Sequence, residues 1–140
     1  MRRELPGGYE LDDDPGRLDV DAIHAYLSGE SYWAKGRSRA DTEKAIAGSL
    51  RVIGVYHGDA LVGFERVVSD GVWFAYLADV YVLEPHRGRG LGTELVREAV
   101  EPEPWRGLRW FLSTDDAHSL YAKFGFRAPG RRALFRHPDD

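Results

Sequence analysis

The residues best suited to chemistry in this 140-residue chain begin with Arg87-Gly88-Arg89-Gly90-Leu91-Gly92-Thr93. Glycines let a ligand approach the main chain closely. Leu91, Leu95 and Ala99 then recur at helical spacing, with Pro102 as a stop, which predicts a helix starting inside this stretch. The first turn of a helix holds N–H groups without an intrahelical partner, and they carry partial positive charge. Arg87 and Arg89 would add full charges at the rim. The stretch therefore predicts a cradle for phosphate or pyrophosphate, although an ordinary tight strand-to-helix turn would read the same way. Ahead of it, Ala78 to Leu83 is rich in β-branched and aromatic residues and predicts a strand.

The spacing separates the phosphate ligands. A nucleotide P-loop needs Gly-Lys-Ser/Thr, and Gly90-Leu91-Gly92-Thr93 has no lysine. A dinucleotide fold needs Gly-x-Gly-x-x-Gly, which Gly88, Gly90 and Gly92 do not satisfy. Arg87, Gly90 and Gly92 instead meet Arg/Gln-x-x-Gly-x-Gly/Ala, directly after a strand ending at Val82. That resembles the acyl-coenzyme A signature of the GNAT N-acetyltransferase superfamily. A second stretch, Ala117-His118-Ser119-Leu120-Tyr121-Ala122-Lys123-Phe124-Gly125-Phe126, resembles the late Ala-x-x-Leu-Tyr-x-Lys-x-Gly-Phe segment of the same family.

The resemblance implies acetyl-coenzyme A as co-substrate, with its pyrophosphate on Arg87, Gly88, Arg89, Gly90, Leu91, Gly92 and Thr93. It implies that Val80, Tyr81 and Val82 bind the pantetheine arm through main-chain groups, as an added strand would. It makes Tyr121 the general acid that protonates the departing sulfur. A phenol suits that task, because with a reference pKa of about 10 it stays protonated at neutral pH. Without the resemblance, Tyr121 reads as a half-buried aromatic anchoring a short helix beside Phe124 and Phe126. Thr114 stands where the family usually has asparagine, and a hydroxyl replaces only part of an amide's hydrogen bonding.

The acceptor side is more open. Asp79 lies among apolar neighbours in the predicted central strand, where a carboxylate asks for a reason. It could hold or deprotonate an amine, or pair with a donor such as Arg66, Arg109 or a backbone amide. His118 shares a helical face with Tyr121 and is a candidate proton shuttle, or a plain surface histidine. Glu65 is a further candidate amine contact. Tyr32 and Trp33, in an aromatic and basic loop with Lys35, Arg37 and Arg39, could wall an amine pocket by cation–π contact or pin the loop to the core. The basic residues of that loop would favour an acceptor bearing a carboxylate or phosphate. No histidine spacing suggests a metal, and none is expected.

The bulk numbers fit one soluble domain spanning 1–140: 43% hydrophobic and 30% charged residues, with no cysteine for a thiol nucleophile or disulfide. A net charge of −4 disfavours general nucleic-acid binding and mildly favours a cationic substrate. No signal peptide or membrane span is recognisable, so a cytoplasmic setting without membrane partners is expected. Residues 1–8 read as a loose lead-in. A strand is expected at 9–12, a helix capped by Asp19 or Asp21, and a second helix at 42–49 capped by Asp41. Three antiparallel strands follow over 50–83, then the cradle helix, a strand at 108–113, a helix at 117–124 capped by Asp116, and late strands from Phe126 and at 133–136. By pattern this is a mixed α/β domain. The resemblance specifies a GNAT-like fold, a mostly antiparallel sheet of about six or seven strands flanked by about four helices. It implies an N-acetyltransferase acting on a small-molecule primary amine by direct attack. A non-catalytic acyl-coenzyme A sensor and a protein N-terminal or lysine acetyltransferase are the alternatives, and family members often pair through late strands, which leaves a homodimer open.

Overall fold

A computed structural model of the chain describes residues 1–139. Six strands form one sheet in chain order: β1 (Arg2–Leu5), β2 (Tyr9–Asp12), β3 (Arg51–His57), β4 (Ala60–Ser69), β5 (Phe74–Val82) and β6 (Arg109–Phe111). Every pairing is antiparallel except β5 with β6. Four helices accompany it: α1 (Val20–Gly29), α2 (Arg39–Ala47), α3 (Leu91–Val100) and α4 (His118–Ala122). Ile23, Tyr26 and Leu27 of α1 pack on Val52, Tyr56, Phe64 and Tyr81, and Ile46 of α2 joins that cluster. Leu91, Leu95, Val96 and Ala99 of α3 cover the other side, against Ile53, Val55, Val67 and Leu77. The mixed α/β architecture matches the expected fold class.

Three local expectations need correction. Residues 1–8 are not a lead-in. Gly7 and Gly8 take positive φ (86° and 82°), so the Pro6-Gly7-Gly8 breaker is a turn that folds β1 back on β2. Arg3 then reaches Glu94 at 2.9 Å, tying the edge strand to α3. Helix α2 begins earlier than expected, because the hydroxyl of Ser38, not the carboxylate of Asp41, accepts the first-turn N–H. The late strands are absent among the described residues. Pro129 cannot donate to a ladder, and Gly130–Arg132 form a single 3-10 turn that leaves Leu134 and Phe135 exposed.

Two irregularities around β5 prepare the site. The parallel pairing with β6 covers only Phe74, Ala75 and Tyr76, so the β5 edge from Leu77 to Val82 opens into a wedge. On its other edge the register slips: Phe64 faces Tyr81 and Arg66 faces Ala78, which leaves Asp79 and Val80 together opposite Glu65. This is a β-bulge. Asp79 within it adopts φ 56°. Aspartate tolerates that left-handed conformation better than most residues.

Candidate active site

The donor side is built from main chain. Gly88 and Gly90 have φ 80° and 77°, and a Cβ added at either would project into open space rather than into protein. Gly90 is the N-cap of α3 and offers no side chain, so the N–H groups of the first turn are left for a guest. They border a cleft of about 430 Å³ that runs past Val80, Tyr81 and Val82 to Leu120 and Tyr121. An anionic pyrophosphate fits such a cradle on charge and on room. Arg87 lies exposed at the rim of this cleft and is tied down there. Its Nε donates to the Val82 carbonyl at 2.9 Å and its Nη2 to the Tyr26 hydroxyl at 3.1 Å, which straps the cradle to β5. Arg89 stays exposed, its guanidinium 5.8 Å from the centre of the Tyr9 ring.

Tyr121, on the short helix α4, is almost fully buried and packs edge-on against Phe126. No described residue hydrogen-bonds its hydroxyl, and the residue lines both the donor cleft and a second cavity. Burial pushes its phenol up to about 12, with the acidic neighbours Glu65 and Asp116 adding to the shift. A phenol so raised keeps its proton and can donate it.

The second cavity, about 330 Å³, is bounded by Tyr32, Trp33 and Tyr76, by Arg37, Arg66 and Asp79, and by Asp116 and Tyr121. Trp33 donates from its indole nitrogen to Asp79 Oδ1 at 2.9 Å. Arg37 and Arg66 both donate to Asp79 Oδ2, at 2.8 and 2.7 Å. Tyr32 meets Trp33 edge-to-face, and its hydroxyl accepts from the Asp115 backbone N–H at 2.8 Å. The loop between α1 and α2 is thereby fastened to the segment before α4, and it roofs the cavity. Trp33 is pinned to the sheet by that bond and, 40% exposed, lines the cavity.

Three candidate site residues differ in their surroundings. Burial alone would raise the Asp79 carboxyl, but hydrogen bonds and charge from Arg37 and Arg66 more than offset it and hold it below the usual carboxylate range. With three donors on two oxygens it is a poor base; of its proposed partners Arg66 is present, while Arg109 lies over Trp73 instead. His118 is exposed and borders neither cavity. Glu65 borders neither as well. It is fully buried, both its oxygens lack a hydrogen-bond partner, and burial raises its carboxyl well above the usual range.

Asp116 is the functional candidate that sequence reasoning misses. It reads as a helix cap, but the Thr114 hydroxyl accepts from the Ala117 and Asp116 N–H groups at 3.1 and 3.4 Å and does that work. Thr114, where the resemblance expects asparagine, thus holds its own chain. No described residue donates to the carboxylate of Asp116, which stands where both cavities meet. Its closeness to Tyr121 in sequence is the available signal.

A family model described as an acetyltransferase (GNAT) domain matches residues 48–128, which run from before β3 to beyond α4. The chain belongs to the GNAT acetyltransferase family. A Gibberella zeae protein named as an acetyltransferase is 32% identical over 142 residues, covering 86% of this chain and 80% of its own. A crystal structure from Xanthomonas campestris pv. campestris, described as an acetyltransferase of the GNAT family, is 40% identical with TM-score 0.87 over 96% of this chain and 95% of that one. A Deinococcus radiodurans structure named as an acetyltransferase shares the fold at TM-score 0.74 and 19% identity, covering 99% of this chain and 94% of its own. The GNAT family uses acetyl-coenzyme A as co-substrate. Among the described residues, no helix is long and apolar enough to cross a membrane.

Proposed function

We propose that this GNAT member transfers acetyl from acetyl-coenzyme A to a primary amine of a small molecule, by direct attack within a ternary complex. The observation that carries this reading is the meeting of two cavities at Tyr121, Val80 and Trp33. Acetyl-coenzyme A, when bound, supplies the thioester to be cleaved. The cradle N–H groups hold its phosphates, and the free edge of β5 aligns its pantetheine arm. In this reading the Tyr121 hydroxyl donates to the sulfur as the carbon–sulfur bond breaks. The chain has no cysteine to carry a thiol acyl-enzyme, which favours direct attack.

A non-catalytic sensor would need the donor cleft alone, and the second cavity beyond Tyr121 has no use in that reading. A protein substrate would need an open groove, whereas the bond from Asp115 to Tyr32 roofs this one. The first test is calorimetry with acetyl-coenzyme A, using Gly90→Glu as control. A glutamate at φ 77° would put its carboxylate into the cradle on a strained backbone. Binding by the native chain and its loss in the variant support the reading. No binding by the native chain would end it.

A further inference from the structure

The charge inside the acceptor cavity has a direction. Arg37 and Arg66 bring two guanidinium groups to one end, and only one carboxylate, Asp79, lies between them. Both oxygens of Asp79 are already engaged, while each guanidinium has five N–H donors and spends few of them there. Arg66 uses Nε on Asp79 and reaches Ser49 only at 3.5 Å through Nη1. Positive charge and unspent donors therefore remain in a largely desolvated wall, where planar forks favour a carboxylate guest. Near Tyr121, where this cavity meets the donor cleft and where neither arginine reaches, stands Asp116, to whose carboxylate no described residue donates. The rings of Tyr32, Trp33 and Tyr76 supply apolar wall to the same cavity.

We infer that the acceptor is a small amino acid-like amine, carrying both a carboxylate and an apolar or aromatic side chain. This rests on the transferase reading above and narrows its substrate. Arg37 and Arg66 take the carboxylate, the aromatic walls take the side chain, and Asp116 takes the ammonium beside the thioester. A cavity of about 330 Å³ has room for such a molecule. The ammonium gives one proton to Asp116 and on to solvent. The amine nitrogen bonds to the thioester carbonyl carbon, the carbon–sulfur bond breaks, and the second amine proton ends on the sulfur, relayed by Tyr121. The products are an N-acetyl amino acid, free coenzyme A thiol and one proton. The whole chain's net negative charge points toward cationic substrates, but the local poles of the cavity decide what it holds.

The test compares matched pairs that differ only in the carboxylate: L-phenylalanine with phenethylamine, L-leucine with 3-methylbutylamine, and L-tyrosine with tyramine. Thiol release from acetyl-coenzyme A is the readout. The amino acid of at least one pair should exceed its amine in kcat/KM by at least about tenfold, because a site built for a charged group penalises its absence. In Arg37→Gln that ratio should fall toward one, whereas a merely structural defect would lower both members together and leave the ratio intact. Equal or faster reaction of the decarboxylated amines overturns the inference, as does a ratio untouched by the variant. No release from any pair, by protein that binds acetyl-coenzyme A in calorimetry, also overturns this substrate class. Failure to bind the coenzyme would instead sink the transferase reading beneath it.

Discussion

Replacing Asp79 with asparagine removes one charge but keeps the shape of the side chain. Asparagine also tolerates the φ of 56° at this position. What the change leaves behind is two guanidinium groups without their shared counter-charge. The Asp79 side chain is 3% exposed, and those of Arg66 and Arg37 are 15% and 22% exposed, so solvent screens the loss poorly. Breaking a buried pair by removing one partner costs about 3 kcal/mol at the low end of its range. For a domain of this size that is a fall in Tm of about 10 °C. The pH dependence gives a second, independent sign. Because the folded-state carboxyl is depressed, its contribution is fully present above the unfolded value near 3.8 and is lost as pH falls through the lower folded value. The gap between native and Asp79→Asn protein should therefore be constant at neutral pH and close only in strong acid. Urea unfolding followed by circular dichroism at several pH values would measure it. A variant with native stability and abolished turnover would refute this reasoning, since that is the behaviour of a catalytic base rather than of an ion-pair hub.

Tyr121→Phe should lower turnover at least about tenfold, or about 1.4 kcal/mol of barrier, with acetyl-coenzyme A affinity unchanged in calorimetry; native turnover in the variant would remove the hydroxyl from the mechanism. Since that phenol holds its proton up to about 12, the native enzyme's pH–rate profile should show no fall assignable to Tyr121 below about pH 10. Glu65→Gln should stabilise the fold at neutral pH. A raised carboxyl contributes fully below the unfolded value of 4.5 and loses that contribution as pH climbs, so the variant's advantage should vanish under acid in the same unfolding assay. Asp116→Asn should raise KM for the acceptor while leaving coenzyme binding intact, and unchanged steady-state kinetics would exclude it from ammonium binding.

Much of this architecture is legible in the sequence where one local rule acts alone. Strand β4, the glycine turn at 88–92 and helix α3 follow from period, φ-permissive residues and a proline stop. Asp79 is visible as an anomaly, a carboxylate among apolar strand residues, and the family signatures locate Tyr121. Partnerships across distance are what stays hidden. That Arg37, Trp33 and Arg66 converge on one carboxylate depends on how the loop after α1 folds over β5, which no local pattern encodes. Asp116 is hidden for a related reason: Thr114 takes the capping role for which the aspartate looks suited. Among the described residues the late strands do not form: 133–136 has strand-like residue types, but Pro129 has no N–H to give a ladder and Gly130–Arg132 turn in a 3-10 helix just ahead of it.

The wedge between β5 and β6 has a consequence for how such a protein changes over generations. In the proposed reading the donor half of the site binds through backbone amides beside diverging strands and glycines, groups that an ordinary side-chain replacement leaves in place. The acceptor half is assembled from side chains on one surface loop and a few strand positions, each replaceable by a single substitution. In that reading diversification is free to act on what is acetylated while the backbone cradle for the donor is inherited with the fold. A laboratory search for new acceptor specificity should concentrate its library on 32–37 and leave 80–93 alone.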